Sequence, residues 1–185
     1  MPAGVHSLYR EGEAMITKKM ETALNEQIKW ELYSSYLYLA MSAYFLSVDL
    51  TGFAQWMRVQ AQEELLHAVK FFDYIGERDG RQVLLPIDAP PKEWKSPLAA
   101  FENAYKHEQE VSRRINNLVS AAETAKDKAA VVFLQWFVNE QVEEEASALA
   151  VVRKLRLAGD SKGALFMMDS ELGSRVFTPP PAAAE

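Results

Sequence analysis

The sequence has no cysteine at all. That excludes a disulfide scaffold, thiolate zinc sites and cysteine-ligated iron–sulfur clusters. It also lacks a long apolar run. The longest, from Tyr36 to Leu46, falls far short of the roughly 20 residues that a membrane span needs. Residues 1–14 carry Arg10, Glu11 and Glu13 with no apolar segment, so no secretory signal is expected. No stretch alternates with the period of a strand. The net charge of −6 disfavours nucleic acid and anionic lipid as partners and is compatible with cations. The expectation is a cytoplasmic, all-α protein that binds neither nucleic acid nor membrane.

What remains is helical periodicity in a chain of 185 residues, enough for one domain with a sizeable core. Residues 1–15 show no pattern and read as a flexible extension. Thr17 is a suitable N-cap for a helix running to about Ser47, with Leu24, Ile28, Glu31, Ser35 and Tyr38 on one face. Asp49 or Thr51 can cap a second helix, about 51–78, that stops at Asp79-Gly80. Pro86, Pro90 and Pro91 break the pattern over 81–95. Ser96-Pro97 then restarts it as cap and first helical residue, for a third helix over 97–124. Asp127 can cap a fourth helix to about Leu157, with Gly159 as its stop. Ser161 can cap a short fifth over 162–172, and Pro179, Pro180 and Pro181 close a flexible tail over 174–185.

The link between the second and third helices decides the topology. A helix of about 27 residues is about 40 Å long, and fifteen linker residues reach at most about 50 Å. The linker can therefore run the length of the bundle. A four-helix bundle with one long crossover, plus a short C-terminal helix, is the ferritin-like arrangement.

The chemistry lies on the inward stripes. Glu64 and His67, three residues apart, share one helical face with Phe53, Met57, Gln60, Phe71 and Tyr74. Glu31 and Glu108 interrupt the apolar stripes of the first and third helices, and Glu140, Gln141 and Glu144 that of the fourth. The spacing repeats between halves: Glu31 precedes Glu64 and His67 by 33 and 36 residues, and Glu108 precedes Gln141 and Glu144 by the same intervals. A single glutamate on such a stripe is ordinarily a buried polar or salt-bridged residue. Here the stripes contain no Lys or Arg, and each unpaired buried charge costs several kcal/mol against a total stability of about 5–15 kcal/mol. Either several carboxyls are protonated or metal cations neutralise them. Carboxylates with one imidazole and no thiolate suit iron or manganese, with zinc also open. A glutamate from each of two helices plus an i, i+3 pair from each of the others is a di-metal carboxylate pattern.

At these residues the chain resembles the non-haem ferritins of bacteria and archaea, over nearly all of 16–178. The resemblance is carried by LNEQIKWELYSSYLYLAMS (24–42), FAQWMRVQAQEELLHA (53–68), YKHEQE (105–110) and FLQWFVNEQVEEEASAL (133–149). It implies a ferritin-like domain over 16–173 and a di-iron ferroxidase centre. Glu31 and His67 would bind one iron and Glu108 and Glu144 the other, with Glu64 bridging and Gln141 alongside. Glu63, Glu140 and Glu143 match the ligands of an additional third iron site. Tyr38 matches a tyrosine that hydrogen-bonds a ligand carboxylate and takes part in electron transfer, although a core aromatic fits equally; Trp136 carries the same two readings. The resemblance further implies Fe(II)/Fe(III), two to three ions per subunit, dioxygen or peroxide as oxidant, and a homo-oligomeric shell of 24 subunits storing an oxyhydroxide mineral.

Departures narrow the family. Bacterioferritins place a haem-ligating methionine where this chain has Leu65, and carry a second Glu-x-x-His where it has Gln141 and Glu144. Haem is therefore not expected. Rubrerythrins need cysteines. Met41, Met57, Met167 and Met168 read as packing, and His107 as a surface or interface residue off the ligand face. A di-iron or di-manganese oxidase that stores nothing, and a purely structural bundle with a protonated polar core, are the alternatives.

Overall fold

The computed structural model describes residues 16–178. Residues 1–15, read above as an extension, and 179–185 of the expected tail lie outside them. Five helices and no strand are formed among the described residues: α1 Lys18–Ser47, α2 Thr51–Glu77, α3 Pro97–Thr124, α4 Lys128–Ala158 and α5 Lys162–Leu172. None of them is long and apolar enough to cross a membrane.

Four of the five helix starts are capped by the residue the sequence points to. The side chains of Thr17, Ser96, Asp127 and Ser161 accept from the backbone N–H groups of Met20, Ala99, Ala130 and Ala164. The start of α2 differs. Leu50 holds the cap position and makes no side-chain bond, so neither Asp49 nor Thr51 serves. The acceptor comes from α5 instead: Asp169 Oδ1 accepts from Gly52 N at 2.8 Å and Phe53 N at 3.0 Å. Gly52 permits this approach, because a Cβ there would lie 1.6 Å from the Asp169 carbonyl oxygen.

α1 and α2 form one antiparallel pair and α3 and α4 the other. The linker between them is fastened at both ends of α1. Near its start, buried Asn25 donates to Arg81 O at 2.9 Å and accepts from Val83 N at 2.7 Å. Near its finish, Trp94 packs on Tyr44 and donates to Asn103 Oδ1 at 3.0 Å. From Asn25 to Tyr44 is about 28 Å along α1 at 1.5 Å per residue. The crossover thus climbs most of the bundle, and α3 starts at the end where α2 started.

The core divides in two. One apolar cluster gathers Phe45, Phe53, Phe101 and Leu155 with Met168 and Leu172 of α5. The other gathers Leu24, Phe71, Ile115, Leu134 and Phe137. Met41 and Met57 are fully buried and Met168 is buried, as packing requires, whereas Met167 is 72% exposed on α5. Between the clusters, every long helix contributes buried polar side chains at the same level: Glu31 and Ser34, Gln60, Glu64 and His67, Glu108, then Gln141 and Glu144.

The borrowed cap makes α5 part of the stability of α2. Asp169→Ala is expected to cost about 1 kcal/mol, a Tm loss of about 2–4 °C for a domain of this size. Gly52→Ala should cost more, since α5 has to back away. Calorimetry on the metal-free protein checks both, and Gly52→Ala with an unchanged Tm would contradict the contact.

Candidate metal centre

The polar layer is assembled from the middle of all four long helices, where it is sealed above and below by apolar side chains. Glu31 on α1 accepts from Gln27 Nε2, one helical turn earlier, at 2.8 Å; its other oxygen has no partner among the described residues. Glu64 on α2 is more isolated. Both of its oxygens are buried without a hydrogen-bond partner, and His67 Nδ1 lies 3.4 Å from its Oε2. The His67 ring stands edge-on to Trp136 at 5.4 Å and to Phe137 at 5.9 Å, so aromatics of α4 set its orientation. Trp136 in turn carries the Lys70 ammonium 4.3 Å from its ring centre.

On α3, Glu108 accepts from the Tyr38 hydroxyl of α1 and from Gln141 Nε2 of α4 at 3.2 Å. Glu144 on α4 accepts from Gln60 Nε2 of α2 at 2.6 Å. Single ligand atoms of Glu31, Glu64 and His67 lie within 4.8 Å of one another, and so do those of His67, Glu140 and Glu144. His67 is common to both groups. Glu108 stands in neither, held by Tyr38 and Gln141. Glu63 also stands outside, and Glu143 is exposed.

Burial dominates the electrostatics. It pushes the Glu31 carboxyl up to about 7 and that of Glu108 up to about 6. It raises those of Glu64 and Glu144 well above the carboxylate range, with the neighbouring carboxylates adding to the rise. The half-buried Glu63 and Glu140 are also shifted up. Burial holds His67 down to about 4, which leaves a neutral imidazole with a free lone pair at neutral pH. Tyr38 is raised well above its ordinary value, by burial first and then by Glu108, so its phenol remains a donor.

A cation fits this layer. The unpartnered atoms are carboxylate oxygens beside a neutral imidazole, a hard donor set with no sulfur. Without a cation, protons must fill the role.

Stripe periodicity alone does not show the parts played by three residues. Gln27 and Gln60 each orient a carboxylate. Gln27 stands four residues before its partner Glu31, whereas Gln60, already on the α2 stripe, meets a partner on another helix, Glu144. His107, expected at the surface or an interface, is corrected in part: it is half-buried against α1, hydrogen-bonded through Nε2 to Ser34 Oγ at 2.7 Å, with its ring 6.2 Å from that of Tyr38. Burial and then Arg114 hold it down to about 4.

Comparisons with known proteins bear on the family and the fold. A family model described as a ferritin-like domain matches residues 21–158. A bacterial non-heme ferritin of Bacteroides fragilis is 47% identical over 161 residues, covering 87% of this chain and 100% of the relative. One from Staphylococcus aureus is 38% identical over 163 residues, covering 88% and 98%. Among solved structures, an open-pore ferritin from the hyperthermophilic archaeon Archaeoglobus fulgidus is 57% identical, covering 87% of this chain and 99% of its own, with a TM-score of 0.86. A closed form of that protein, engineered by site-directed mutagenesis, gives a TM-score of 0.87 at 57% identity, covering 88% and 99%.

The raised carboxyls set a pH dependence. A carboxyl that titrates higher folded than unfolded keeps a proton that the unfolded chain has released. Its contribution is full below the ordinary carboxylate range and is lost as pH climbs through about 6 for Glu108, about 7 for Glu31, and higher for Glu64 and Glu144. His67 and His107, titrating at about 4 when folded, oppose this drift only below the ordinary histidine value. The metal-free protein should therefore lose stability steadily from about pH 6.5 upward. Glu64→Gln should flatten that slope and raise the Tm at alkaline pH. Melting curves of metal-free protein across this range check it, and a Glu64→Gln variant with the wild-type slope would refute it.

Proposed function

The chain belongs to the ferritin family, and from that membership we propose that it stores iron, oxidising Fe(II) in the carboxylate layer and depositing Fe(III) as an oxyhydroxide mineral inside a hollow homo-oligomeric shell. The observation that carries the reading is the buried layer between two apolar clusters, where orphaned carboxylate oxygens from α1 and α2 face a neutral imidazole. The family supports a shell of 24 subunits in the cytoplasm, with dioxygen or peroxide as oxidant.

Fe(II) is the substrate. Glu31 and His67 bind one ion and Glu108 and Glu144 the other, with Glu64 between them and Gln141 beside the second. Glu63, Glu140 and Glu143 serve a third ion nearer the mineral cavity. Anionic oxygen ligands favour the ferric state, so electrons pass from the iron pair to the oxidant. Hydrolysis of Fe(III) then releases protons and forms the mineral.

The chain's own residues prepare this chemistry. Gln27 and Gln60 turn the Glu31 and Glu144 carboxylates toward the layer. Because the carboxyls hold protons when no ion is present, Fe(II) entry must expel protons from Glu31, Glu64 and Glu144. The Tyr38 hydroxyl keeps Glu108 in place while the second ion arrives, and its burial next to the layer suits it to electron transfer. The edge-on contact of Trp136 with His67 supports the same role for it, beside its packing against Phe137.

Anaerobic titration with Fe(II) should saturate at two to three ions per subunit and release protons at neutral pH. Admission of oxygen should then give a fast oxidation phase. Glu64→Ala combined with His67→Ala should abolish that phase, and fast oxidation persisting in the double variant would sink the assignment. Size-exclusion chromatography after iron loading separates the alternatives. A shell elutes at several hundred kilodaltons with iron in the same peak, a non-storing oxidase gives a small oligomer, and a structural bundle takes up no metal.

A further inference from the structure

The stripes of the four long helices bring no lysine or arginine to the layer, but a cation arrives from beyond α5. Arg175 follows the cap residue Gly173 by two positions, at the start of the stretch expected to be a flexible tail. Its guanidinium crosses to α2, with Nη2 2.7 Å from Glu63 Oε2 and Cζ 4.5 Å from the centre of the Trp56 ring. Gln55 Nε2 fastens the backbone by donating to Arg175 O at 3.3 Å. The two paired side chains are 24% and 21% exposed, so the pair is mostly withdrawn from water. The other terminal nitrogen, Nη1, is buried without a partner among the described residues. The guanidinium is therefore only half satisfied where it sits.

Glu63 is the one member of the proposed third-ion set that makes a strong bond elsewhere. It stands outside the His67, Glu140 and Glu144 group although Glu140 and Glu144 are both within its electrostatic reach. Arg175 acts on Glu144 as well as on Glu63.

We propose that Arg175 is a tethered cation that holds Glu63 in an ion pair apart from Glu140, so that a divalent ion arriving beside Glu140 must displace the guanidinium before Glu63 can become its ligand. Arg175 is then a positioning residue acting through Glu63, and the residues just after α5 form a latch over this side of α2. A dication outcompetes a singly charged, half-paired guanidinium for the carboxylate, and the latch opens onto a segment with few other attachments. The proposal rests on reading the layer as a metal centre.

The test is anaerobic calorimetric titration of the metal-free oligomer with Zn(II), which is redox-inert. Wild type should fill two tight sites and a weaker third. Arg175→Gln should strengthen the third site by about five-fold, the scale of an ion pair worth about 1 kcal/mol, and move the tight pair far less. Arg175→Lys, which keeps the charge, should stay near wild type. Glu63→Gln should remove the third ion alone, and adding Arg175→Gln to it should have no further effect. Filling of the third site should also change Trp emission in wild type and leave it unmoved in Trp56→Phe. A third-site affinity indifferent to Arg175→Gln, or equal shifts at all sites, would overturn the latch while leaving the metal centre standing. Absence of any bound ion would overturn the centre itself. An Arg175→Gln chain that fails to fold leaves Glu63→Gln and the Trp56 signal to decide.

Discussion

Mutual repulsion among buried carboxylates is the constraint on which this structure depends. Four glutamates, Glu31, Glu64, Glu108 and Glu144, are packed into one layer with no Lys or Arg on the stripes that supply them. Left ionised and unpaired, they would cost more than a domain of this size can supply. Metal-free, the layer is tolerated because protons stay on groups that would elsewhere have released them. The same pressure makes the layer receptive to any hard cation of matching size. Stability is surrendered at one level of the bundle so that affinity is available there.

The rest of the fold keeps that layer from relaxing. A glutamate side chain can escape burial only if its helix rotates or slides, and both movements would drag one apolar cluster or the other into water. The crossover, fastened to α1 at Asn25 and Tyr44, fixes the relative height of the two hairpins, so the polar side chains of α1 and α2 meet those of α3 and α4 at one level. Within the layer, amides rather than charges align the carboxylates. Gln27, Gln60 and Gln141 each donate to one glutamate, while one oxygen of Glu31 and both of Glu64 stay unfilled.

Much of this was legible in the sequence, for a simple reason: helices and their caps are decided within a few residues. Thr17, Ser96, Asp127 and Ser161 all announce helix starts locally, and a 3.6-residue period places Glu31, Glu64, His67, Glu108, Gln141 and Glu144 on buried faces. What periodicity does not carry is contact between distant segments. Asp169 caps a helix 117 residues before it, and Arg175 pairs with a glutamate 112 residues before it. His107 was misplaced for a related reason. It sits just off the ligand stripe of α3, and only the close approach of α1 at Ser34 turns that flank into interior. Similarly, nothing local to Glu63 shows that its partner would be an arginine from the far end of the chain.

The aromatic stack beneath the layer carries one more consequence. The α2 and α4 backbones nowhere come within 8 Å of each other between Cα atoms among the described residues. Flat rings fill the space between them: Phe71 on Phe137 with centroids 4.1 Å apart, and Tyr74 on Phe133 at 3.8 Å. Rings stacked face to face do not compress, and no rotamer change thins them. They work as a shim that fixes the gap between the helix carrying Glu64 and His67 and the helix carrying Gln141 and Glu144. The spacing of the two helices at this level is thus held by side chains that take no part in the hydrogen bonds of the layer.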